Sequence, residues 1–159
     1  MMDPLASPAP LPRPGQILAR GVCRALVDLG FAPLTEHVPA PGLRVDVMAL
    51  GPKGEIWVVE CKSSRVDFTS DRKWQGYLDW CDRYFWAVDQ AFPVDLLPEG
   101  TGLIMADAWG GEVLRLPPEH RLAGARRVAV TRGFARAAAR ALLGFRDPGP
   151  GPVRSPDPA

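Results

Sequence analysis

Apolar positions along the chain change period several times, and each change predicts an element. Ile17, Leu18, Val22, Ala25, Leu26 and Leu29 recur at three-to-four spacing, with Arg20, Arg24 and Asp28 between them. That spacing predicts an amphipathic helix over 16–29, stopped by Gly30. Three strands are predicted next: Leu34 to Val38, Leu43 to Leu50 and Ile56 to Lys62, rich in β-branched and aromatic residues. Pro39-Ala40-Pro41-Gly42 and Gly51-Pro52-Lys53-Gly54-Glu55 supply the turns between them. A second helix is predicted over 71–82, with Trp74, Tyr77, Leu78 and Cys81 as its apolar stripe and Thr69, Ser70 or Asp71 as its cap. Tyr84 to Val88 reads as a buried strand. Gly102 to Ala106 and Glu112 to Leu116 read as two more, joined around Trp109-Gly110-Gly111. A last helix is predicted over 132–143, with Thr131 as cap and Gly144 as stop. The order α-β-β-β-α-β-β-β-α predicts a mixed α/β domain with a central sheet flanked by helices.

Composition sharpens this outline at the ends. The chain has 159 residues, the size of one domain. Of its 18 prolines, five fall in 4–14 and five in 148–158, so proline-rich disordered tails are expected over 1–14 and 147–159 around a domain at 15–146. The N-terminus has neither a basic nor an apolar signal region, and no run reaches the ~20 apolar residues of a membrane span. Cys23, Cys61 and Cys81 are odd in number and widely spaced, which argues against a disulfide framework or a zinc knuckle. A cytoplasmic protein without membrane contact is the expectation.

The hairpin of the second and third strands carries the chemistry. If Leu50 lies opposite Ile56, then Met48 faces Val58, Asp46 faces Glu60 and Arg44 faces Lys62. Like charges directly across an antiparallel pair are destabilising. Arg44 and Lys62 can offset that repulsion as a surface ion cluster. A divalent cation shared by both carboxylates would offset it better, because two carboxylates, a backbone carbonyl and waters match the hard oxygen ligands of Mg²⁺. A nearby lysine would then stabilise charge on a phosphorane.

Asp46 followed by Glu60-Cys61-Lys62, on a hairpin between two helices, resembles the PD-(D/E)xK nuclease superfamily. A wider set is similar to the bacterial MmcB-like DNA repair family over about 15–146. It comprises Arg44 through Trp57, Glu60-Cys61-Lys62-Ser63-Ser64, Lys73-Trp74, Tyr77-Leu78, Cys81-Asp82-Arg83 and Phe85. Val45 stands where the superfamily name has proline. The resemblance implies a restriction-endonuclease-like fold: an α-β-β-β-α-β core plus an extra hairpin and a C-terminal helix. It implies a Mg²⁺ (or Mn²⁺) centre held by Asp46, Glu60 and the Cys61 carbonyl, with Lys62 as catalytic lysine. It also implies that the helix after the Glu-x-Lys strand supplies one more polar group, for which Gln75 is favoured over Lys73.

Other candidates are weaker. Glu36 on the first strand is an extra acid, but a four-residue turn would pair it with Val45, on the wrong face. Ser63, Ser64 and Arg65 follow the active strand and can serve a phosphate or a helix cap. Asp67 and Asp71 read as turn and capping residues. The segment from His120 to Arg146 holds seven arginines and no Asp, Glu or Lys, so it carries +7 in a chain whose net charge is +1. Within it, Arg132, Arg136 and Arg140 form one stripe, a backbone clamp for DNA. The expected function is a Mg²⁺-dependent deoxyribonuclease of DNA repair. The alternative is a DNA-binding or adaptor module that keeps the fold and does not cut. A domain this small often pairs as a homodimer to cut two strands, though no heptad or apolar patch marks an interface.

Overall fold

The computed structural model describes residues 11–149. The tails expected over 1–14 and 147–159 therefore lie outside the described residues, apart from their inner ends. Helix α1 spans Pro14–Asp28, with proline at its first position, where a missing N–H costs nothing. Leu18, Val22 and Leu26 form its buried side. Gly30, at φ +85°, takes the left-handed turn that ends the helix.

Six strands follow: β1 (Ala32–Ala40), β2 (Leu43–Leu50), β3 (Ile56–Cys61), β4 (Arg83–Val88), β5 (Gly102–Ala106) and β6 (Gly111–Arg115). They form one sheet in chain order. β1–β2, β2–β3 and β5–β6 are antiparallel, while β3–β4 and β4–β5 are parallel. Every residue of β3 is buried, as a central strand with parallel pairing requires. One face of the sheet packs Val47, Ala49, Val59, Phe85, Ala87 and Ile104 against α1. The other packs Met48, Val58, Tyr84, Trp86 and Val88 against Tyr77, Val130 and Phe134 from the later helices. The result is the expected mixed α/β sheet flanked by helices, and it is consistent with a nuclease-like fold.

Two expected helices differ. In place of one helix over 71–82 there is a short helix α2 (Arg65–Ser70) and a 3₁₀ helix over Trp74–Trp80. The cap is Ser64, whose hydroxyl accepts the Asp67 N–H at 3.2 Å. Trp74, Tyr77 and Trp80 recur every third residue, which is the period of a 3₁₀ helix and not of an α-helix. The last helix, α3, runs over Gly124–Arg146, a full two turns earlier than expected. Its entry is fixed from outside: the buried Asp82 carboxylate accepts the Leu122 N–H at 2.9 Å and both Arg127 guanidinium nitrogens at 2.7 and 2.8 Å. Thr131 and Gly144 thus lie inside the helix and neither starts nor stops it.

Candidate functional site

The turn after β2 is closed by the Gly51 N–H on the Glu55 carbonyl at 2.8 Å. Leu50 then pairs with Ile56, Met48 with Val58 and Val47 with Val59, as the sequence predicts. Beyond Val47 the regular pairing stops. Asp46 and Glu60 hold the parting strands through their carboxylates: Glu60 Oε1 accepts the Asp46 N–H at 3.0 Å, and Asp46 Oδ2 accepts the Cys61 N–H at 2.8 Å. The two acids are brought together, each bonded to the other strand's backbone.

Their environment disfavours two negative charges. Glu60 is 5% exposed. Burial, then the neighbouring Asp46 charge, pushes its carboxyl up to about 8, against the pull of the Asp46 N–H and Lys62. Burial also raises Asp46, opposed by the Cys61 N–H and Lys62.

Lys62, 7% exposed, makes its ion pair elsewhere: its Nζ lies 2.8 Å from Asp71 Oδ2 and 5.8 Å from the centre of the Trp86 ring. Burial alone would lower the lysine, but the hydrogen bond and charge of Asp71 outweigh it and hold Lys62 protonated. Burial opposes ionisation of Asp71 too, yet Lys62 and the Lys73 N–H pull its carboxyl below the usual range. Asp71 is therefore a site residue that sequence reasoning takes for a cap. It does form a local turn, through the Lys73 N–H at 2.9 Å, and that role hides the other.

The roof of the site is aromatic. The Tyr77 hydroxyl donates to the Arg44 carbonyl at 3.0 Å, and burial with the charges of Glu60, Asp71 and Asp46 pushes it to about 12. Tyr84 Oη and Trp86 Nε1 are buried without a hydrogen-bond partner among the described residues.

The remaining candidates fall as follows. Cys61 ends β3 with its thiol buried and its pKa raised by that burial. Gln75 and Lys73 are exposed at the start of the 3₁₀ helix, and no described hydrogen bond ties Gln75 to the carboxylates. Ser64 is the cap of α2, and Ser63 N donates to Asp67 Oδ2 at 3.1 Å. Glu36 is corrected. His37 pairs with Val45 and Thr35 with Val47, so Glu36 falls opposite Asp46 and not opposite Val45. It holds a left-handed φ of 53°, unusual for a residue with a side chain. Glu36 and Asp46 share a cavity of about 360 Å³ with Gln16 and Arg20. Arg132, Arg136 and Arg140 are exposed on α3. Arg136 and Arg140 line a groove of about 520 Å³ against Leu34–Val38 of β1. Thr35 and Glu36 border both cavities, so the arginine groove and the Asp46 cavity are neighbours across one edge strand. Among the described residues no group of three or more His, Cys, Asp or Glu side chains is set to hold a metal. No helix there is long and apolar enough to cross a membrane.

The β2–β3 hairpin thus places two acids and a lysine on a mixed sheet, an arrangement consistent with a nuclease-like fold. The chain belongs to the MmcB-like family of DNA repair proteins, whose pattern matches residues 9–149. It is also similar to the solved structure of a protein of unknown function from Silicibacter pomeroyi. The two share 60% identity and superpose with a TM-score of 0.87, over 91% of this chain and all of that one. No curated protein matches. Membership in the family supports a role in DNA repair and suggests contact with DNA.

Proposed function

We propose that the protein is a divalent-metal-dependent nuclease acting on DNA during repair. One observation carries the reading: a buried carboxylate, Glu60, and a half-buried one, Asp46, are bonded across the hairpin while the neighbouring lysine is committed to a third, Asp71. The acid pair is left short of positive charge, and a buried charge excess is costly unless neutralised. The donor set fits Mg²⁺ or Mn²⁺, which need few protein oxygens because they keep several waters. Each carboxylate has one oxygen outside the hydrogen bonds described above. Asp46, Glu60 and the Cys61 carbonyl would hold the ion. When bound, it supplies Lewis-acid charge and an acidified water.

The protein's own groups supply the rest. Lys62 stays protonated beside Asp71, so it serves as fixed positive charge for a phosphate oxygen and not as a proton acceptor. The Arg132, Arg136 and Arg140 stripe grips backbone phosphates without reading sequence. Gln75, exposed on the 3₁₀ helix, would orient water once substrate covers that helix. A second reading, DNA binding without cleavage, is favoured by the arginine groove, which needs none of the carboxylates.

Calorimetric titration of Mg²⁺ or Mn²⁺ into wild type and Asp46→Asn, followed by a panel of labelled DNA forms, tests the proposal. Wild type should bind the ion and cut, and Asp46→Asn should lose both. Lys62→Ala should cut at least about a hundredfold more slowly. Full activity in both variants would overturn the mechanism. DNA binding indifferent to metal and to Asp46→Asn, with no cleavage, would establish the second reading.

A further inference from the structure

Of the five tryptophans, four pack into the protein and one does not: Trp109, in the β5–β6 turn, is 72% exposed. Its turn is rigid. The Asp107 carboxylate accepts the N–H groups of Trp109 and Gly110 at 2.7 and 3.0 Å, and Asp107 N donates to the Gly110 carbonyl. The turn is also pressed onto α1 at Gly21, where an added Cβ would lie 1.9 Å from the Asp107 carbonyl oxygen and 2.6 Å from that of Gly110. No side chain larger than hydrogen fits there. The indole is thus held out in solvent by a preorganised support, while its burial contributes little to the fold.

Two guanidiniums lie over its ring. Arg20 and Arg24, one helical turn apart on α1, have Cζ atoms 5.6 and 5.5 Å from the ring centre, and Arg24 donates to the Trp109 carbonyl at 3.3 Å. Arg20 also lines the cavity that contains Asp46 and Glu36. Trp109 also lines a cavity of about 730 Å³ that includes Asp89, Asp107 and Glu112, so phosphates are accepted on the arginine side, while the part of the ring that the guanidiniums leave open suits a nucleobase.

We propose that Trp109, with Arg20 and Arg24, is a stacking platform for an unpaired base of single-stranded DNA, leading the strand past Arg20 towards Asp46. A base paired within a duplex is stacked on its neighbours and does not offer its face to the indole. The preference is therefore for single-stranded or frayed DNA. This deepens the nuclease proposal and rests on it for the strand's destination, but the platform itself is a binding site.

Fluorescence anisotropy tests it, with the full-length protein, a labelled single strand roughly 15 nucleotides long and a blunt duplex of the same sequence, without divalent metal. Trp109→Ala should weaken single-strand binding about tenfold and leave the duplex unchanged. Trp109→Phe should retain most of the affinity. Arg20→Ala with Arg24→Ala should weaken binding and flatten its salt dependence. Unchanged single-strand binding by Trp109→Ala, or equal weakening for both DNA forms, would overturn the platform. Cleavage is read separately with Mg²⁺. Cutting lost in Asp46→Asn while Trp109→Ala binds normally removes the platform and keeps the nuclease. Trp109-dependent binding with no cutting by wild type keeps the platform and removes the nuclease.

Discussion

Strand β3 has a buried carboxylate at each end, Asp82 beside Ile56 and Glu60 before Cys61, and the two are opposites. At the Ile56 end, Asp82 is 1% exposed and fully served: it accepts the N–H groups of Ile56 and Leu122 and both nitrogens of Arg127. Burial opposes its charge, but these bonds outweigh it, and its carboxyl lies below the usual range. At the Cys61 end, Glu60 is about as buried, faces another carboxylate and is pushed up to about 8. The same burial lowers a carboxyl pKa where charge is matched, at Asp82, and raises it where charge is not, at Glu60. The direction of the pKa shift separates them.

The comparison is broken most directly at its stable end. Asp82→Ala should cost about 3–5 kcal/mol in urea unfolding, because it strands the Arg127 charge and frees the entry to α3. Metal affinity at the other end should not change. A loss below about 1 kcal/mol would mean that the Asp82 cluster is not an anchor.

At the other end the sign reverses. Folded Glu60 holds its proton above its ordinary value of 4.5, so the metal-free protein loses stability as pH rises from 4.5 to about 8. Glu60→Gln should abolish that slope and stabilise the metal-free protein by about 1–3 kcal/mol at pH 8. Asp82 behaves conversely, its contribution being present above its ordinary 3.8 and lost as pH falls through its lowered folded value. Denaturation curves across pH for both variants would show two opposite slopes, and a shared slope would erase the contrast.

The smallest effect on stability belongs to the exposed arginines. Removing Arg132, Arg136 and Arg140 together should shift stability by less than about 0.5 kcal/mol. It should reduce the salt dependence of DNA binding by about three counterions. An unchanged salt dependence would exclude the stripe from the interface.

Much of this was open to reading because the turn at 51–55 and the alternation of β2 and β3 fix a register in which Asp46 and Glu60 meet. Asp71 escaped because its local task, bonding Lys73 N, is the ordinary task of an aspartate beside a helix, and its pairing with Lys62 exists only in three dimensions. The 3₁₀ helix was hidden by a window in which Leu78 and Cys81 complete an α-helical stripe, although Trp74, Tyr77 and Trp80 already keep a period of three. The early start of α3 depends on Asp82, some forty residues away in sequence. Trp109 lay in a glycine-rich turn, where nothing local says whether an indole points in or out.

The sheet's strand order has a kinetic consequence. Because β1 through β6 lie side by side in the order of synthesis, each strand can dock on one already made, and no later strand has to be inserted between two earlier ones. Assembly can therefore track the emerging chain from the first hairpin onward. The seating of the Asp107–Gly110 turn against Gly21 joins the last part of the sheet to the first helix, and so becomes the latch that closes only when the sheet is complete.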